Sequence, residues 1–131
     1  MVRYGLTLID GPSQEPVSVS EAKTHLNITH SNDDTLLDTL ITAARQACET
    51  ETRRQFCIAR YELKMDEFPE MIIVPRPPLW TVEQIEYVDS GGTLLNLDQS
   101  VYQVDKDSEP GRIQPAYGET WPSHRDQLNA V

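Results

Sequence analysis

The apolar positions of this chain change period once, near Phe56. From Asp33 to Phe56 they fall at helical spacing. Leu36, Leu37, Leu40, Ile41, Ala44, Ala47 and Cys48 make one apolar stripe along about six turns, which predicts a long amphipathic helix. Asp33, Asp34 and Asp38 stand in its first turns and Arg53 and Arg54 in its last, as the helix dipole favours. Ser31 or Asn32 is placed to cap its start. Glu49 is spaced to pair with Arg53, and Glu51 with Arg54.

Before this helix the chain is extended and punctuated by proline. Tyr4, Leu6 and Leu8 alternate with Arg3, Gly5 and Thr7, which reads as a short strand or an arm within residues 1–16. Ser18 with Glu21 three residues on forms a capping box, so a short first helix starts here and ends near Asn27, with Val19, Ala22 and Leu26 facing inward. After Phe56 the period is two. Ala59, Tyr61, Leu63 and Met65 alternate with Arg60, Glu62, Lys64 and Asp66, the pattern of a half-buried antiparallel strand. Met71–Val74 reads as a short buried strand. Pro75-Arg76-Pro77-Pro78 cannot donate ladder hydrogen bonds at three of its four positions and reads as a rigid, extended connector. Gln84–Asp89, a hairpin turn at Ser90-Gly91-Gly92, Leu94–Leu97, Val101–Asp105 and Arg112–Gln114 supply the remaining strands, with a charged loop from Lys106 to Gly111. Two helices followed by about five short strands predict one α+β domain: an arm (1–16), a helical part (17–56), a β-rich part (57–122) and a tail (123–131).

Composition narrows the function. Apolar residues make up 38 % of the chain, low for a self-sufficient globule, which leaves two readings: a loop-rich monomer, or a subunit that completes its packing against neighbours. No run approaches the roughly 18 apolar residues of a membrane span. Cys48 and Cys57 form no CxxC pair and read as reduced, cytoplasmic and structural. The net charge of −10 is uneven: residues 1–60 carry 6 basic and 8 acidic side chains, residues 61–131 carry 5 and 13. Such a chain is repelled by phosphate backbones; simple solubility accounts for most of these charges, and the sharper reading is a surface that lies near nucleic acid without holding it. His25, His30 and His124 are scattered without metal-ligand spacing, and no phosphate-binding glycine loop opens a helix. No catalytic, cofactor or metal site is expected. The weak rival is a carboxylate–metal hydrolase built on acids such as Asp105 and Asp107.

The ordered set PVSVSEAKTHLNI, DDTLLDTLITAARQACETETRRQF, the alternating strand, and VPRPPLWTVEQIEYVDSGG resembles the head–tail connector (adaptor, or head-completion) proteins of long-tailed bacteriophages and prophages. Val101–Asp105, Gly111-Arg112-Ile113 and Trp121-Pro122 extend the likeness over roughly residues 6–131. The resemblance implies a non-enzymatic virion protein at the head–tail junction, assembled in the host cytoplasm. It implies a ring, dodecameric to match the portal, that extends the DNA channel and offers a platform to the next adaptor or tail-completion protein. DNA would pass without specific binding. On this reading Leu36, Leu40, Ala43, Ala44, Ala47, Arg53 and Arg54 face the neighbouring copy, and Arg76, Trp80 and Trp121 meet a partner ring. The alternative is a protein-binding accessory factor in packaging or tail assembly that forms no ring. Relatives typically continue past Leu128–Val131 into another strand and a helical segment, so a sheet edge without a partner is expected here.

Overall fold

The computed structural model describes residues 3–131. The elements are β1 (Tyr4–Asp10), α1 (Val19–Leu26), α2 (Asp34–Thr52), β2 (Arg60–Met65), β3 (Ile72–Val74), β4 (Glu86–Val88), β5 (Leu94–Asn96), a 3-10 turn (Gln99–Val101), β6 (Tyr102–Asp105) and β7 (Gly111–Pro115). The chain is α+β, with one short and one long helix ahead of most of the strands. The strands divide among three small sheets: β1-β2, β3-β7-β6 and β4-β5. Two compact units result, one from Asp10 to Arg60, the other from Tyr61 to Val131 with the N-terminal strand through Ile9.

In the helical unit, α1 starts at the expected capping box. The Glu21 N–H donates to Ser18 Oγ at 3.1 Å, and the Ser18 N–H donates to the Glu21 carboxylate at 2.8 Å. Asn27 ends the helix in the left-handed region, φ 56°. Val19 and Ala22 are half-buried, but Leu26 is exposed, contrary to its expected inward position. The long helix is shorter than its periodicity suggested. Asp33 takes the N-cap position without a side-chain hydrogen bond, so neither Ser31 nor Asn32 caps it by side chain. At the other end Arg53 turns left-handed at φ 55°, and the N–H groups of Arg53 and Arg54 both donate to the Glu49 carbonyl. The two arginines therefore follow the last turn instead of completing it.

In the β-rich unit the register explains the core. Ile113 of β7 stands between Ile72 of β3 and Val104 of β6, and this row joins the buried cluster of Met65, Ile85, Leu97 and Tyr102. The next row, Ile73–Arg112–Asp105, points the other way, as strand alternation requires. Gly111 is needed where it stands, since a Cβ there would lie 2.6 Å from the Leu79 Cβ. The Ser90–Gly92 hairpin forms as expected, with Gly92 at φ 89°. The proline segment is not extended. Arg76 is left-handed at φ 59° and its guanidinium lies 5.5 Å from the centre of the Tyr61 ring, so the chain bends there.

The last residues are not a loose tail. Met65 and Val131 exchange backbone hydrogen bonds at 2.8 and 3.0 Å, and the Val88 N–H donates to the Ala130 carbonyl at 2.8 Å. Ala130 is buried and the Asn129 N–H donates to the Asp66 carboxylate at 2.8 Å. Residues 130 and 131 thus bridge β2 and β4.

Candidate functional site

The two sides of α2 differ in kind. Asp34, Leu37, Ile41, Arg45 and Glu49 follow at three- and four-residue steps along one line, and this line is the covered one. Arg45 is 8 % exposed and Glu49 3 %. Arg45 Nε donates to Glu15 at 2.6 Å, Nη2 donates to the other oxygen of Glu15 at 3.2 Å, and Nη1 donates to Glu49 at 2.8 Å. Thr42 Oγ1 also donates to Glu15, at 2.9 Å. Glu49 turns to Arg45, one turn before it, and not to Arg53 as its spacing suggested. Its second oxygen accepts the Phe56 N–H at 3.0 Å, which folds the chain back across the helix end. One guanidinium therefore fastens the segment before α1, the middle of α2 and the turn after it.

The Arg45 hydrogen bond, and then that of Thr42, hold the Glu15 carboxyl below its ordinary value, against the opposing effect of burial. Glu15 in turn raises the Arg45 guanidinium, and burial pushes the neighbouring Cys57 thiol up. A carboxylate with a depressed folded-state pKa stabilises the fold above its unfolded value and loses that contribution as pH falls through the folded one. Stability of wild-type protein is thus expected to decline below about pH 4.5, and less steeply for Glu15→Gln; urea titrations across pH 3–6 check this.

On the opposite side Leu36 and Leu40 are 56 % and 53 % exposed, and Ala43, Ala44 and Ala47 are exposed beside them. The sequence shows one broad apolar stripe; the structure splits it. Leu36 and Arg45 are nine residues apart, which at about 100° per residue puts them on opposite sides. Covering the Arg45 line leaves the outer half of the stripe in water. Cys48 is exposed at its margin. Arg53 and Arg54 lie just past the end of the face.

The other nominated residues separate. Trp80 is 69 % exposed. Trp121 is built into its own unit: its ring stacks on Phe68 at 4.8 Å and 9°, and its Nε1 donates to the Pro69 carbonyl at 2.7 Å. Arg76 is half-buried against Tyr61. Tyr117, which the sequence reading passed over, stands fully exposed at a turn tip; its place between Ala116 and a left-handed Gly118 was the available sign. Asp105 is fully engaged. It accepts from Asp107 N–H at 3.0 Å, from Ser108 N–H and Oγ at 3.1 and 2.6 Å, and from Arg112 Nε at 2.9 Å. The Ser108 hydroxyl, then Arg112, hold its carboxyl well below the usual range. Among the described residues no three His, Cys, Asp or Glu side chains converge as a metal ion requires, and no helix is long and apolar enough to cross a membrane.

Leu36, Leu40, Ala43, Ala44 and Ala47 thus make an exposed apolar strip along α2. Residues 16–86, more than half of the chain, match the family described as phage gp6-like head-tail connector protein, and the chain belongs to that family. The family is a structural one of the phage virion, whose members join head and tail proteins. No curated protein and no solved structure matches the chain.

Proposed function

We propose that the protein is a ring-forming head–tail connector subunit that sits under the portal, extends the DNA channel and carries the next adaptor or tail-completion protein. The observation that carries this reading is the outward half of the α2 stripe, Leu36, Leu40, Ala43, Ala44 and Ala47, held in water by burial of the opposite, charged line. This is the lateral face, with Arg53 and Arg54 at its end. Alanines let a neighbouring backbone approach closely, and the leucines supply the apolar area. Trp80 and Arg76 are the contacts to a partner ring; Trp121 has its place in the subunit's own core. The excess of acid in residues 61–131 suits a wall that DNA slides past. Ring number follows the portal, twelve. Catalysis has no part in this role.

Negative-stain images of the purified protein, alone and mixed with its portal, test the proposal. Rings, or particles capping the portal, are expected. A defined one-to-one complex with a packaging or tail protein, and no ring under either condition, would instead favour the accessory-factor reading.

A further inference from the structure

The structure carries a second apolar surface, and it differs from the first. Among the described residues β1 pairs with β2 alone, and Tyr4, Leu8 and Ile9 on it are about half exposed or more. Strand alternation puts Tyr4, Leu6 and Leu8 on one side as a ridge of bulky side chains. A closed ring of more than two copies needs two different, complementary patches on each subunit, because each contact is head-to-tail. A symmetric pairing of α2 faces would stop at a dimer.

We infer that the occupant of the α2 face is the β1 ridge of the neighbouring copy. This inference rests on the ring reading above. Shape favours it: Tyr4, Leu6 and Leu8 are large, while Ala43, Ala44 and Ala47 leave a shallow floor between Leu36 and Leu40 and the helix end. Length favours it: the seven steps from Arg3 to Asp10 span about 23 Å, and the helix from Asp33 to Arg53 spans about 30 Å. Charge favours one direction. β1 begins with basic Arg3 and ends with acidic Asp10; α2 begins with acidic Asp33 and is followed by basic Arg53. Laid parallel to the helix, the strand sets each end against its opposite charge. β1 lies ahead of residues 16–86, the part of the chain that matches the family.

Cysteine pairing tests it. In a background with Cys48→Ala and Cys57→Ser, one preparation carries Leu8→Cys and another Ala43→Cys, both at exposed positions. The two are mixed, assembled with portal, treated with a short bismaleimide and run on a denaturing gel, while light scattering follows assembly. Mixed samples are expected to give a crosslinked pair, and Ala43→Cys alone to give none. Assemblies without Leu8–Ala43 crosslinks, or with Ala43–Ala43 pairs, would overturn this inference and leave the ring reading standing. Absence of any assembly, in both variants and in the wild type, would remove both.

Discussion

Arg45→Met is expected to lower the unfolding free energy by about 3 kcal/mol, the cost of leaving one side of a buried charge cluster without its partner. The loss comes less from the hydrogen bonds removed than from the groups left behind. Glu49 is 3 % exposed and keeps a backbone donor, the Phe56 N–H; Glu15 keeps the Thr42 hydroxyl. Glu49 would stay out of water without its cation, and Glu15, about a fifth exposed, partly so. Removing all the charges together is a different experiment. Glu15→Gln, Arg45→Met and Glu49→Leu combined leaves no stranded carboxylate and is expected to recover much of the loss, since buried ion clusters often do no better than apolar packing of similar volume. Urea denaturation followed by circular dichroism measures both. A single Arg45→Met variant within about 0.5 kcal/mol of wild type would show that the cluster does not fasten the helical unit.

The second large effect separates folding from assembly. Leu36→Glu with Leu40→Glu is expected to leave the melting curve close to that of the wild type, because both side chains already face water. Self-association is expected to fail. A leucine taken out of water contributes roughly 1.5–3 kcal/mol, so two of them amount to about 4 kcal/mol per contact, on the order of a thousandfold in its dissociation constant. New carboxylates held in an apolar contact widen the deficit. A variant that melts early would place the leucines in the subunit's own packing.

These two experiments probe the same division of α2, and that division shows where reading the sequence succeeds and stops. The helix itself, the Ser18–Glu21 capping box, the alternation of β2 and the Gly91-Gly92 hairpin are local, and local pattern reveals them. Which half of a broad apolar stripe is covered is not local. It depends on Glu15, thirty residues before Arg45, reaching back to the helix. The hint was an arginine and a glutamate four apart, Arg45 and Glu49, continuing the line of Leu37 and Ile41. The same limit explains Trp121, whose partner Phe68 lies far away in the chain, and the last residues, whose bonds run to Met65 and Val88. Helical periodicity places the nominated α2 residues on one face, but their exposure follows from the packing of the opposite line. Trp80, two residues after Pro78, and Trp121, just before Pro122, look alike in sequence, and only packing tells them apart.

Sedimentation velocity over a wide concentration range, with and without portal, addresses the central claim most directly. The wild type is predicted to pass from single subunits to one closed species of many copies, at lower concentration when portal is present, while Leu36→Glu/Leu40→Glu stays as single subunits throughout. A wild-type protein that sediments as a single chain at every concentration, and does not join the portal boundary, would contradict the account.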